Sequence, residues 1–261
     1  MSEPRSYLFV PGDKPERFSK AAASGADVVI FDLEDAVGAS QKNAARQDVV
    51  RWFQQGGTGI VRINGTDTPF FDADLAAISS CEAAAIMVPK ATMSAWRTMS
   101  SIVPKRSLLM LLETVEGLMQ VNDIACASSV TRLAFGNLDF GTDARIPGTG
   151  SVLDPARFQI VIASRHGNLA PPIDGVTLAL DDEQVLAADV RHSRQLGFGA
   201  KLCIHPKQVS AVNAGFAPSG EEIEWAVAIL QALEGSGGGV VQLNGKMVDK
   251  PLIERAKRIL A

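Results

Sequence analysis

The chain has 261 residues, of which 46% are hydrophobic and 21% charged, with a formal net charge of -4 and a pI near 5.5. The size suits one TIM barrel, typically about 250 residues, and the acidic balance excludes a nucleic-acid binder that works through a basic face. Cys81, Cys126 and Cys203 lie too far apart in sequence for a disulfide framework or a CxxC metal site, which makes a reducing cytoplasm the simplest compartment. No signal peptide is expected from the short apolar run at the N-terminus, and no stretch reaches the roughly 18 apolar residues of a membrane span.

Eight short apolar runs, each bounded by turn residues, follow in chain order. Tyr7–Val10 precedes a helix over Pro15–Ser24 that stops at Gly25. Val28–Asp32 precedes Ser40–Gln55, which stops at Gly56-Gly57. Ile60–Ile63 precedes Asp72–Ser80, Ala85–Val88 precedes Thr92–Ile102, and Leu108–Leu112 precedes Gly117–Ala127. Arg132–Phe135 leads to a loop at Gly141–Gly150 and a helix at Asp154–His166; Gly175–Leu178 precedes Asp182–Leu196; Ala200–Ile204 is the last run. Most runs are continuous rather than alternating, as in parallel strands covered on both faces. Eight strand–helix units predict an α/β fold, a (β/α)₈ TIM barrel, over residues 1–206. A doubly wound open sheet is the alternative, but no GxGxxG follows the first strand. Residues 207–261 predict a C-terminal helical extension: a helix at Glu221–Leu233, a glycine-rich joint at 235–239, a strand at Val240–Leu243, a tight turn at Asn244-Gly245 and a final helix at Pro251–Leu260. This extension is expected to cover its own active site or to reach a neighbouring subunit.

Chemistry in such a barrel sits at the C-terminal ends of the strands, so the residues after each run are the candidates. Strand two ends in Asp32, Glu34 and Asp35; strand three carries Arg62; strand four ends in Lys90; strand five ends in Glu113; strand six is followed by Gly136, Asn137 and Asp139. Glu113 closes the apolar run LLMLLE, where a carboxylate is costly unless paired or bound to a cation. With Asp139 from the next strand it forms a platform for Mg²⁺, which needs only one or two protein carboxylates; pairing with Arg62 and Lys90 is the structural alternative. Arg62 can grip a carboxylate through two parallel hydrogen bonds, or pair with Glu34 or Asp35. The acidic cluster at 32–35 calls for a cation, and one of its members is expected to bond metal-bound water. His166, His192 and His205 lack metal-ligand spacing, and no GxSxG elbow is present. Lys90 as a Schiff-base lysine is a further, lesser option.

RSYLFVPGD at 5–13, VIFDLEDAV at 29–37, VRIN at 61–64, the LLET of strand five, FGNLDF at 135–140, GFGAKLCIHPKQ at 197–208 and GKMVDKPLI at 245–253 together resemble the citrate lyase β-subunit-like family, in the wider group of 2-oxo-acid lyases that includes malyl-CoA lyases. The resemblance spans nearly the whole chain. It implies a TIM barrel, Mg²⁺ on Glu113 and Asp139, Arg62 on the 2-oxo acid, and the CoA portion approaching the loop 198–208. It also implies that Asp249 acts in proton transfer from a neighbouring subunit of a homotrimer or hexamer. The reaction expected is cleavage or formation of a 3-hydroxyacyl thioester such as malyl-CoA or citryl-CoA, with Asp35 as a further catalytic group and Lys90, Glu34, Gly136 and Asn137 around the substrate. Three other readings stand beside it: a free-acid aldolase without CoA, the β subunit of a carrier-protein-dependent citrate lyase, and a 2-oxo-acid-binding protein without turnover.

Overall fold

The computed structural model describes residues 3–79, 81, 83, 85–235, 241–243 and 246–260. Eight parallel strands close on themselves in sequence order: β1 Ser6–Pro11, β2 Val28–Asp32, β3 Ile60–Arg62, β4 Ile86–Val88, β5 Leu108–Leu112, β6 Val130–Phe135, β7 Ile173–Asp174 and β8 Ala200–Cys203. Around and after them run α1 Phe18–Ala22, α2 Lys42–Gln54, α3 Phe71–Ser79, α4 Met93–Ile102, α5 Val115–Met119, α6 Val121–Ala125, α7 Asn137–Ala144, α8 Asp154–His166, α9 Glu183–Leu196 and α10 Val209–Phe216. The fold is therefore the (β/α)₈ barrel that the apolar runs indicate. Among the described residues no helix is long and apolar enough to cross a membrane.

The strand pleat divides the core in two. Tyr7, Ile30, Ile60, Met87, Leu109, Leu111, Ala134, Ile173, Ala200 and Leu202 fill the barrel interior. The alternate residues, such as Leu8, Phe31, Val61, Met110 and Leu133, pack outward against the helices. On α2, the buried stripe Lys42, Ala45, Arg46, Val49 and Phe53 follows the helical period and faces the barrel. Local chemistry sets the helix starts: Thr92 accepts from Ala95 N, Thr114 from Gly117 N, and Asp182 from Gln184 N and Val185 N. Gly197 ends α9 with φ 106, in the left-handed region glycine enters freely.

Four readings from sequence change. The seventh strand is Ile173–Asp174, not Gly175–Leu178. Beyond Asp174 the backbone leaves the ladder because Val176 N donates to Asn137 Oδ1, and Leu178 of the apolar run is exposed, as is Leu180 after it. The helix read at Gly117–Ala127 is two short helices, α5 and α6, broken at Gln120. The stretch after β6, read as a loop, contains α7. The barrel unit runs to Phe216, since α10 packs on α9, β1 and β8; the sequence reading placed the division at 206.

Residues Ala217–Ala261 form a second unit. It holds α11 Gly220–Gly235, an antiparallel pair of β9 Val241–Leu243 and β10 Lys246–Val248, and α12 Lys250–Leu260. Its own small core gathers Ala226, Ile229, Val248 and Ala256. Most of the expected glycine-rich joint and the turn at 244–245 lie outside the described residues.

Candidate active site

Strand register brings the polar residues together. Asp32 and Arg62 are direct partners across β2 and β3. Leu112 and Phe135 are partners across β5 and β6, so Glu113 and Gly136 follow side by side. Pleat parity then decides orientation. Asp32 follows Ile30 by two, Arg62 follows Ile60, Glu113 follows Leu111 and Gly136 follows Ala134, so each points the way the interior residues point.

Asp32 holds Arg62 along one edge of its guanidinium: Nε donates to Oδ1 and Nη2 to Oδ2, each at 2.7 Å. Asp32 also accepts from Glu34 N and Ala36 N. Glu34 Oε2 lies 2.9 Å from Arg62 Nη1, and Asp35 Oδ2 lies 3.8 Å away. The guanidinium sits 4.9 Å from the centre of the Phe9 ring. Burial alone would lower the Arg62 pKa, but Asp32 and then Glu34 and Glu113 raise it above its ordinary value. Glu34 is pushed up to about 8, by burial first, against the pull of Arg62 and with the repulsion of Glu113, Asp35 and Asp32.

Glu113 stands on the opposite wall, 2% exposed. Its Oε1 accepts from Lys90 N at 2.7 Å, a geometry that places Lys90 in the left-handed region at φ 46. Burial pushes its pKa up to about 7; the Lys90 amide and Arg62 oppose this, while Asp139 and Asp35 add to it. Asp139 lies in the first turn of α7, where the helix dipole favours negative charge. Gly136 makes room: a Cβ there would meet Glu113 Cβ at 2.6 Å and Oε2 at 2.7 Å.

A cavity of about 370 Å³ opens between these walls, lined by Asp32, Asp35, Arg62, Glu113, Gly136, Asn137 and Asp139 among the apolar Phe9, Leu111, Leu138, Val176, Leu202 and Ile204. A second cavity of about 610 Å³ shares Phe9 and Ile204 with it and carries Arg17, Lys20, His205 and Lys207. Neither histidine nor cysteine lines the first cavity. Among the described residues no group of three or more His, Cys, Asp or Glu could hold a metal by itself. The donor set fits a hard dication that takes two protein carboxylates and fills its other positions with substrate and water, as Mg²⁺ does.

The structure thus brings together Arg62, Asp35, Glu113, Gly136, Asn137 and Asp139. Glu34 and Lys90 stand behind the cavity wall: Lys90 is half exposed, with Nζ 3.9 Å from Glu34 Oε1, and it is its backbone amide that meets Glu113. The Asn137 side chain is engaged by backbone, accepting from Val176 N and donating to Gly148 O and Val176 O, so it staples two loops. Asp32 takes the Nε–Nη2 edge of Arg62, and Glu34 shares the Nη1–Nη2 edge that faces away from it. Asp249 belongs to the second unit, where it is exposed and its Oδ1 accepts from Leu252 N at the start of α12. Sequence reasoning missed Asp32 as the partner of Arg62, although their shared parity on neighbouring strands is the signal. It also missed Lys42, whose ammonium lies buried below the acidic loop; a lysine inside a helix carries no such mark.

This architecture matches known proteins along nearly its full length. A (3S)-malyl-CoA thioesterase of Cereibacter sphaeroides is 35% identical over 272 residues, covering 98% of this chain and 93% of that protein. The citrate lyase subunit beta of Leuconostoc mesenteroides subsp. cremoris is 33% identical over 279 residues, covering 98% and 92%. A crystal structure of CitE from Mycobacterium tuberculosis in complex with magnesium, acetoacetate and coenzyme A superposes with a TM-score of 0.87 at 31% identity, covering 99% of this chain and 97% of that one. The family model for HpcH/HpaI aldolase/citrate lyase matches residues 5–206, and the chain belongs to that family.

Proposed function

We propose that the protein is a Mg²⁺-dependent carbon–carbon lyase that cleaves or forms a 3-hydroxyacyl thioester, releasing a 2-oxo acid and an acyl-CoA. The observation that carries this reading is the surplus of carboxylate around the smaller cavity. Glu113, nearly fully buried and with its pKa pushed up to about 7, is a carboxylate whose charged form a cation would stabilise, and Asp139 lines the same wall.

When bound on Glu113 and Asp139, Mg²⁺ supplies Lewis-acid polarisation and a template for the oxo-acid oxygens. Arg62, already tied to Asp32 on one edge, presents its Nη1–Nη2 edge to the oxo-acid carboxylate, which competes with Glu34 for Nη1. With its pKa near 8 Glu34 is mostly neutral at pH 7, so the guanidinium is not doubly neutralised before substrate arrives. Asp35, with a side chain 62% exposed at the mouth, is placed to take the hydroxyl proton as the carbon–carbon bond breaks. The apolar wall of Phe9, Leu111, Leu138, Leu202 and Ile204 keeps water from the reacting carbons. Support for CoA rather than a free acid comes from the adjoining larger cavity. It shares two apolar residues with the smaller one and carries four basic or imidazole side chains, a fit to a long thioester ending in phosphates. A protonated Asp249, reaching over from a neighbouring subunit of a homotrimer or hexamer, gives its proton to the thioester enolate, and the proton that Asp35 took passes through solvent to reset the pair.

A product screen with Mg²⁺, glyoxylate, pyruvate or oxaloacetate, and acetyl- or propionyl-CoA tests the whole reading. It predicts a new thioester from at least one pair, lost in Glu113→Gln and in Asp139→Asn. Mixing Asp249→Ala with Glu113→Gln protein is expected to restore part of the activity that each lacks. No restoration at any ratio removes the neighbouring-subunit step. Release of free CoA without an oxo acid would instead assign thioester hydrolysis, the activity in the name of the Cereibacter relative.

A further inference from the structure

Beneath the acidic loop lies a buried lysine that the reaction as proposed does not use. Lys42, on the first turn of α2, is 6% exposed. Its ammonium donates to Leu33 O at 2.7 Å, Glu34 O at 2.8 Å and Asn64 Oδ1 at 2.7 Å. An ammonium has three hydrogens, so all are spent, two of them on the carbonyls of the residues that lead from Asp32 into the loop. Among the described residues no carboxylate lies within ion-pair distance of Lys42; burial lowers its pKa, and Asp32, Asp74, Glu34 and Asp35 oppose this from farther off. Desolvation offsets most of what such partners supply, which argues for placement rather than strength.

The neighbours of Lys42 close the frame. Asn64 Nδ2 also donates to Leu33 O, and both Asn64 amides, backbone and side chain, donate to Asp74 on α3. Leu33 N donates to Arg62 O. Arg46, one turn along α2 from Lys42, lies 3.5 Å from Asp74. The exits of β2 and β3, which carry Glu34, Asp35 and Arg62, are therefore fixed to each other and to α2 by Lys42, and to α3 by way of Asn64 and Asp74. We propose that Lys42 is a positioning residue for the 2-oxo-acid site: by holding the Leu33 and Glu34 carbonyls it sets where Glu34 and Asp35 stand against Arg62, and so the open edge of the guanidinium that meets the substrate carboxylate. The proposal rests on the reading of the cavity given above.

Calorimetry on the full-length protein separates the two. Wild type is titrated with Mg²⁺ alone and then with pyruvate in the presence of Mg²⁺, alongside Lys42→Met, Lys42→Arg, Lys42→Gln and a core truncation on α9, Val190→Ala, with melting temperature recorded for each. Lys42→Met is expected to weaken pyruvate at least tenfold while Mg²⁺ binding changes less than threefold, because Glu113 and Asp139 do not touch the frame. Lys42→Arg recovers part of the loss, Lys42→Gln falls between, and Val190→Ala binds pyruvate like wild type at a comparable fall in melting temperature. Should Lys42→Met not fold, Lys42→Gln carries the same comparison. Pyruvate binding equal to wild type in both Lys42 variants, or a matching loss in Val190→Ala, overturns the positioning role and leaves the site reading intact. A wild type that binds no Mg²⁺ overturns the site reading itself.

Discussion

Arg62 with Asp32 at the barrel mouth, and Arg157 with Asp174 on its outer wall, are the same two side chains at similar burial. Around Asp174 cations and carboxylates match: Arg157 Nε lies 3.0 Å from Oδ1, Lys201 Nζ 3.5 Å from Oδ2, the Ser193 hydroxyl donates to Oδ2, and Asp154 Oδ1 lies 3.4 Å from Arg157 Nη1. Burial pushes the Asp174 pKa up, but Lys201 and Arg157 more than reverse it, and it ends below its ordinary value. At the mouth one buried arginine faces Asp32 and Glu34, with Asp35 and Glu113 beyond, and both glutamates are pushed up. Burial is common to the two clusters; charge balance is not. A cluster that balances its own charge holds strands and helices together, whereas one left with spare carboxylate is built for a cation that arrives from outside.

The largest effect that could break this contrast is a pair of neutralising changes. Asp174→Asn leaves Lys201 buried without its counter-charge and Arg157 with Asp154 alone, and should cost about 3–5 kcal/mol in denaturant unfolding. Glu113→Gln removes a charge the unliganded fold disfavours. Its stability at pH 8 should equal or exceed wild type while turnover falls by about a thousandfold or more. Equal destabilisation by both would erase the distinction. A smaller effect separates the two arginines. Arg62→Lys swaps a fork for a point charge and should raise the KM for the oxo acid about ten- to a hundredfold with kcat less affected. Arg157→Lys should leave that KM alone; steady-state kinetics at saturating thioester decides.

The smallest effect is a matter of pH. On the proposed site Glu113 loses its proton to take Mg²⁺, so the apparent Mg²⁺ affinity should climb as pH rises through about 7 and level off above it. The stability sign runs the other way for the unliganded protein. Acids whose folded pKa is raised contribute stability that is complete below the unfolded pKa, near 4.5, and lost as pH rises through about 7 to 8. The thermal shift produced by Mg²⁺ should therefore be larger at pH 8 than at pH 6. A shift independent of pH would mean Glu113 does not titrate with the metal.

Much of this was legible in the sequence because two periods, of two along strands and of 3.6 along helices, are local. The eight strands, and Glu113 at the end of LLMLLE, follow from them. The seventh strand misled because GVTL has the right composition, yet Asn137, 39 residues away in sequence, captures Val176 N and ends the ladder. The pairing of Arg62 with Asp32 rather than Glu34 or Asp35 needed strand register, which parity supplies once β2 and β3 are known to be neighbours. Lys42 was out of reach, since its partners are mostly carbonyls and a carbonyl has no sequence letter.

Gly136 bears on how this mouth can change over generations. Its missing methyl is the space that the Glu113 carboxylate occupies, so the two positions form one unit of inheritance. A lineage could keep every charged residue of the mouth and still lose the cation by gaining a single carbon atom at 136. Drift at that glycine is therefore a quiet route from a cation-binding mouth to an inert one, and a survey that tracks only acids and arginines would not register it.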